Sequence, residues 1–189
     1  APYYDKTERL IGVYGSNEGL ENTPNSSPGV LLAPPAPRAH ELFEQRACAE
    51  LGIPVIPSHI AVLSEVQDHE TLPGLVHPNN PLAQRVLSES MRSRAACFWA
   101  TPCGRGCSIK ANFQSTTVLI PPAMATGNVD LVTDAMVREV TVDAQGRATG
   151  VHYIDKRTGL DERANARVVI LAASALSSAR ILLNSKSNL

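Results

Sequence analysis

The stretch "ARVVILAASALSSARILLNS", residues 166–185, constrains the fold of this chain more than any other. Beyond Arg167 it runs apolar through Ala173, the pattern of a strand covered on both faces. Small hydroxylated residues follow, suited to capping, and the sequence continues as a helix. A buried strand that delivers its end into a turn of small residues is where open α/β sheets bind ligands. Small side chains there let a planar group or a pyrophosphate approach the backbone, and the next helix offers N–H donors. Equally, Ala and Ser at that place permit tight helix–strand packing, and the residues alone leave both readings open.

The segment ahead of this run parses almost unit by unit. "DLVT" reads as a short strand and "AMVREVTV", residues 135–142, as a second, with Met136, Val140 and Val142 alternating against Val137, Glu139 and Thr141. "DAQG" is a hairpin turn in which Gly146 can take positive φ without a Cβ clash. "RATGVHYID" returns as a strand and "KRTG" turns again. The expected order is strand, antiparallel meander, buried strand, small-residue turn, helix.

The first half has a different texture. Residues 1–12 read as a short amphipathic helix, with Pro2 at an early helical position and Tyr4, Leu10 and Ile11 on one face. "VYGSNEGLENTPNSSPGV" is loop by its Gly, Asn, Ser and Pro content. From Pro37 to Leu51 a helix is expected, its stripe formed by Ala39, Leu42, Phe43, Ala47 and Leu51, with Gly52 and Pro54 as the stop. "IPVIP" and "HIAVLSEV" are short extended segments. Residues 67–95, containing "HPNNP", read as a long surface excursion, functional or part of a separate cap.

Composition excludes several classes. Hydrophobic residues at 43% and charged ones at 19% suit a chain that buries a core. A net charge of −1 argues against the basic footprint that nucleic acid demands. No run approaches the roughly 18–20 apolar residues of a membrane helix. The chain begins with Ala1 and shows no charged-then-apolar leader, and its compartment stays open.

"ACFWATPCGRGCSIKANFQST", residues 96–116, admits several roles. Cys103 and Cys107 are spaced as one zinc pair could be, but no matching pair lies downstream. A C-x-x-C redox motif is absent. "CGRGC" could cradle an anion with N–H groups and Arg105, although the Walker spacing is missing. The plainer reading is a set of small, reduced cysteines lining a Gly-rich turn. Of the five histidines, His40, His59, His69, His77 and His152, none shows a base–orienter pairing in the sequence.

The ordered string "ACFWATPCGRGCSIKANFQST…IPPAMATGNVDLVTDAMVREVTVDAQGRATGVHYIDKRTG…ARVVILAASALSSARILLNS" resembles the central portion of the glucose–methanol–choline (GMC) flavin oxidoreductases. "APYYDKTERLIGVYG" is similar to the stretch that precedes it there, and the bacterial branch is the nearest likeness. The resemblance implies FAD in a Rossmann-like domain and oxidation of an alcohol or sugar by hydride transfer to the flavin. It implicates Val137, on the strand whose valine meets the adenine edge through its backbone. It also implicates Ala173 and Ser174, in the turn matching the family's Ala-Gly-Ala segment. Ser174 stands where Gly is usual, and Ser178-Ala179 where Ser-Pro is frequent.

The family's G-x-G-x-x-G turn and its catalytic histidine have no counterpart here, so the resemblance implies an internal fragment with no catalytic residue of its own and no metal. The expected fold is α/β: a partial FAD-binding Rossmann-like domain with an antiparallel β-meander, residues 96–189, plus an irregular α+β cap segment, residues 1–95. It also makes the cysteine segment a positioning loop leading from the cap towards the flavin. Alone, the fragment is expected to be inactive and to self-associate through apolar surface around "VVILAA". The competing reading is a non-catalytic interaction module with a metal at Cys97, Cys103 and Cys107.

Overall fold

A computed structural model of the 189-residue chain describes residues 2–99 and 103–185. The chain mixes helix and strand and divides into two compact units, Ala1–Val129 and Asp130–Leu189. Residues 96–99 and 103–129 therefore pack with the first unit. No helix among the described residues is long and apolar enough to cross a membrane.

The first unit opens with α1, Pro2–Ile11, the helix expected from the sequence. Gly12 ends it at φ +75°, where an added Cβ would lie 2.3 Å from Leu63 Cδ2. That close approach lets Tyr14 pair with Leu32 on one side and with Ile60 on the other. Val62 pairs in turn with Asn112, and Leu63 N–H donates to the Ala111 carbonyl. These single bridges realise the extended character of "HIAVLSEV" without building a sheet. Tyr14, Val62, Leu63, Cys97 and Ala111 form the buried cluster at their centre.

Arg94 holds this cluster to α1. Its side chain is 4% exposed. Its guanidinium donates to the carbonyls of Ile11 (3.0 Å), Lys110 (3.0 Å) and Ala111 (3.2 Å) and to Gln67 Oε1 (2.7 Å). Gln67 passes the connection on, donating to the Arg9 carbonyl at 2.8 Å. Burial pulls the Arg94 pKa down to about 10, the cost of holding a cation among neutral acceptors.

α2, Ala39–Glu50, forms where expected, its first turn closed by Arg38 N–H donating to Glu41 Oε2 at 2.6 Å. Its apolar stripe buries nothing: Phe43 and Leu51 are about three-quarters exposed. Residues 67–95 correct the sequence reading. They carry α3, Leu72–Val76, and α4, Pro81–Arg92, and bring Leu72, Leu87 and Met91 into a second buried cluster. "HPNNP" is a helix start, with Asn80 Oδ1 accepting from Ala83 N–H and Pro81 in the first helical turn. Two short helices, α5, Ser115–Val118, and α6, Ile120–Ala125, complete the unit.

The second unit holds a three-stranded antiparallel sheet in the order β1-β2-β3, from β1 Ala135–Val142, β2 Ala148–Asp155 and β3 Asp161–Asn165. The hairpin turn falls at Asp143–Gly146 as the sequence indicates, with Gly146 at φ +76°. Gly150 lets β3 approach β2, since a Cβ there would sit 2.1 Å from the Ala164 carbonyl oxygen. α7, Ser174–Asn184, follows, without the side-chain cap that its serines suggested.

Two expected strands do not form. "DLVT" is irregular, with Leu131 and Val132 more than half exposed. Residues 166–173 are likewise not a strand, and Val168 and Ile170 are 73% and 84% exposed. The physical reason is the same in both places. A strand needs a neighbour to take its backbone groups, and among the described residues neither segment is paired into the sheet.

Candidate functional site

β1 and the turn before α7 meet in the second unit. Along β1, Val137 faces Tyr153 and Glu139 faces His152, which leaves Arg138 as a bulge. β1 is an edge strand, so its outer backbone groups need other partners. α7 supplies them. Arg180 Nη2 donates to the Val137 carbonyl at 2.8 Å, Asn184 Nδ2 donates to the Arg138 carbonyl at 3.3 Å, and Val140 N–H donates to Ser185 Oγ at 2.8 Å. Ile181, 3% exposed, provides the apolar contact of the helix.

This lacing leaves a groove of about 510 Å³ whose walls include Met136, Val137, Val151, Ile170, Ala173 and Arg180. Arg180 is the one charged side chain among its lining, and the rest of the wall is apolar but for Ser177. An apolar trough with a single cation on one rim suits a flat, partly apolar anion.

Two of the three residues singled out by sequence, Val137 and Ala173, line this one groove although they are far apart in the chain. Ser174 does not line it. It is exposed and stands next to Ala173 at φ +64°, a left-handed backbone that favours glycine. Arg180 was missed by sequence reasoning. Its signal was helical spacing, since Ala173, Ser177 and Arg180 recur at four and three residues and share a face.

The other motifs are placed elsewhere. Cys103–Arg105 is one turn of 3₁₀ helix in the first unit, and Ala100, Thr101 and Pro102 lie outside the described residues. Cys97 is buried, and Cys107 packs against the same cluster. Among the described residues no three His, Cys, Asp or Glu side chains gather into a candidate metal site. A histidine–carboxylate pair does exist: His152 Nδ1 lies 3.0 Å from Glu139 Oε1 across the hairpin. Cross-strand register creates it, and neither residue lines the groove.

A sequence model described as GMC oxidoreductase matches residues 83–187, more than half of the chain. The chain belongs to the GMC oxidoreductase family. The match covers all of β1–β3 and α7, and thus the whole groove.

Individual relatives extend the likeness to the front half. A 2-methyl-1,2-propanediol dehydrogenase of Mycolicibacterium austroafricanum is 27% identical over 98% of this chain. A 6'''-hydroxyparomomycin C oxidase of Streptomyces lividus is 28% identical, and a paromamine 6'-oxidase of Streptomyces fradiae 27% identical, each over the same share. The chain spans 29% of the length of each of these GMC-type relatives.

Proposed function

We propose that this chain is a portion of an FAD-dependent oxidoreductase acting on CH–OH donors, and that its groove is one wall of the flavin nucleotide site. The observation that carries the reading is the convergence of Val137 and Ala173 on one groove. The residues present fit the nucleotide end of FAD: a backbone acceptor on an edge strand, apolar walls and one cation. Val137 would meet the adenine through its backbone, and Ala173, with no bulk beyond Cβ, would admit the nucleotide to the turn. FAD, when bound, supplies the hydride acceptor for the carbinol carbon of an alcohol or sugar.

In this reading residues 96–189 form the cofactor side, in a partial Rossmann-like arrangement, and residues 1–95 the substrate side. The apolar run at 166–173 would become a paired strand once flanked, which accounts for its hydrophobic pattern despite its exposure. The relatives' names, a 2-methyl-1,2-propanediol dehydrogenase, a 6'''-hydroxyparomomycin C oxidase and a paromamine 6'-oxidase, support hydroxyl-bearing substrates.

Equilibrium titration with FAD, combined with an alcohol-oxidation assay, tests the proposal. Weak FAD binding without turnover is expected. Submicromolar affinity together with alcohol oxidation would overturn the fragment reading. Sedimentation should show association that grows with concentration, driven by Val168, Ile170, Leu176 and Leu183.

A further inference from the structure

The Val137 carbonyl already has an occupant. Arg180 Nη2 sits on it at 2.8 Å, and among the described residues no carboxylate competes for that guanidinium. The carbonyl belongs to an edge strand and lies beside a bulge. Arg180 lies on an exposed helix face, and its side chain can leave without uncovering the core, because Ile181 carries the buried contact. Asn184 and Ser185 keep α7 laced to β1 when it does.

We propose that Arg180 is a displaceable cover on the Val137 carbonyl, and that a purine carrying an exocyclic amino group takes its place. The inference rests on reading the groove as a nucleotide site and concerns how that site discriminates between bases. An adenine amino group is a donor, as is the guanidinium, so one hydrogen bond replaces another and the acceptor is never orphaned. A hypoxanthine presents an acceptor at the same position and cannot replace the cation. It would be bound only with Arg180 still on the carbonyl. Arg180 is thus a positioning residue that lowers adenine affinity and narrows the preference between the two bases.

The test uses neutral nucleosides, which remove any attraction between Arg180 and phosphate. Adenosine and inosine are titrated into the full chain and into Arg180→Met and Arg180→Lys, following the Val137 and Arg138 amide signals by NMR. In Arg180→Met the cover is gone, and adenosine affinity should rise about five-fold, the equivalent of one hydrogen bond of about 1 kcal/mol. Inosine affinity should stay level or fall. Arg180→Lys should lie between wild type and Arg180→Met. Weaker adenosine binding in Arg180→Met would overturn the proposal by making Arg180 a ligand-holding residue. An equal gain for both nucleosides would overturn it by reducing Arg180 to a space filler. If neither nucleoside moves the Val137 amide in any of the three proteins, the proposal falls. FAD titrated into the same samples shows whether the nucleotide reading of the groove falls with it.

Discussion

Replacing Arg94 by Met should loosen the first unit by about 2 kcal/mol. Among the described residues three acceptors lose their donor, the Ile11 and Lys110 carbonyls and Gln67 Oε1, while the Ala111 carbonyl keeps Leu63 N–H. Each unsatisfied buried acceptor costs about 1–3 kcal/mol, and three at about 1.7 kcal/mol each amount to about 5 kcal/mol. The opposing effect is release from burying a charge. Burial draws Arg94 down to about 10 from 12.5, a depression that corresponds to about 3 kcal/mol. Met keeps much of the apolar stem, so little cavity is added.

Trp99, the one tryptophan in the chain, stacks edge-on against Tyr14 with ring centroids 5.7 Å apart in the same unit. Its fluorescence during urea denaturation therefore reports this unit. A loss of about 2 kcal/mol should lower the midpoint by roughly 1 M for a urea dependence of about 2 kcal/mol per molar. Arg94→Lys should fall between wild type and Met, since one ammonium cannot reach four acceptors. A midpoint unchanged or raised in Arg94→Met would refute the reasoning, as would full stability in Arg94→Lys.

Ser174→Gly should stabilise the second unit by about 0.5–1 kcal/mol. A left-handed L-residue costs about 1–2 kcal/mol, and glycine returns part of this through the entropy of the unfolded chain. A lower melting temperature by circular dichroism would contradict this. Gly12→Ala should destabilise the first unit by about 2–3 kcal/mol, because the new methyl meets Leu63 and Gln67 at a positive φ. Wild-type stability by Trp99 fluorescence would show that the contact yields freely. The Asp143 carboxyl is held below the usual carboxylate range, first by the Arg147 backbone N–H and also by the Arg147 side chain and Gln145 N–H. Its folded pKa is depressed, so its contribution is present above the ordinary value near 3.8 and lost as pH falls through the lower folded one. An NMR titration should place its midpoint below 3.8, and a value at or above that would contradict the turn geometry.

What could be read from sequence was local. The hairpin at Asp143–Gly146 is specified by adjacent residues, α1 and α2 by first-turn residues and stops, and α7 by spacing, all within a few positions of each other. α4 was also written locally, in Asn80-Pro81, but "HPNNP" looks like loop until those two residues are taken as cap and first turn. Arg94 was illegible because charge argues for the surface, and only contacts from Ile11, Gln67 and Lys110 reverse that. The pattern at residues 166–173 describes a strand with neighbours, and a pattern cannot supply the neighbours. The pairing of Val137 with Ala173 was legible through family resemblance alone, since no periodicity connects β1 to the turn before α7. Arg180 shares helical spacing with Ala173, but its hydrogen bond to β1 depends on a tertiary approach.

The central claim is most directly tested by adding FAD to the isotopically labelled chain and mapping amide shifts residue by residue. The account expects concentration-dependent shifts at Val137, Arg138, Ala172, Ala173 and Ser177, with the hairpin end at Gln145 and Gly146 unmoved. Shifts confined to the first unit, or spread without regard to the groove, would contradict it.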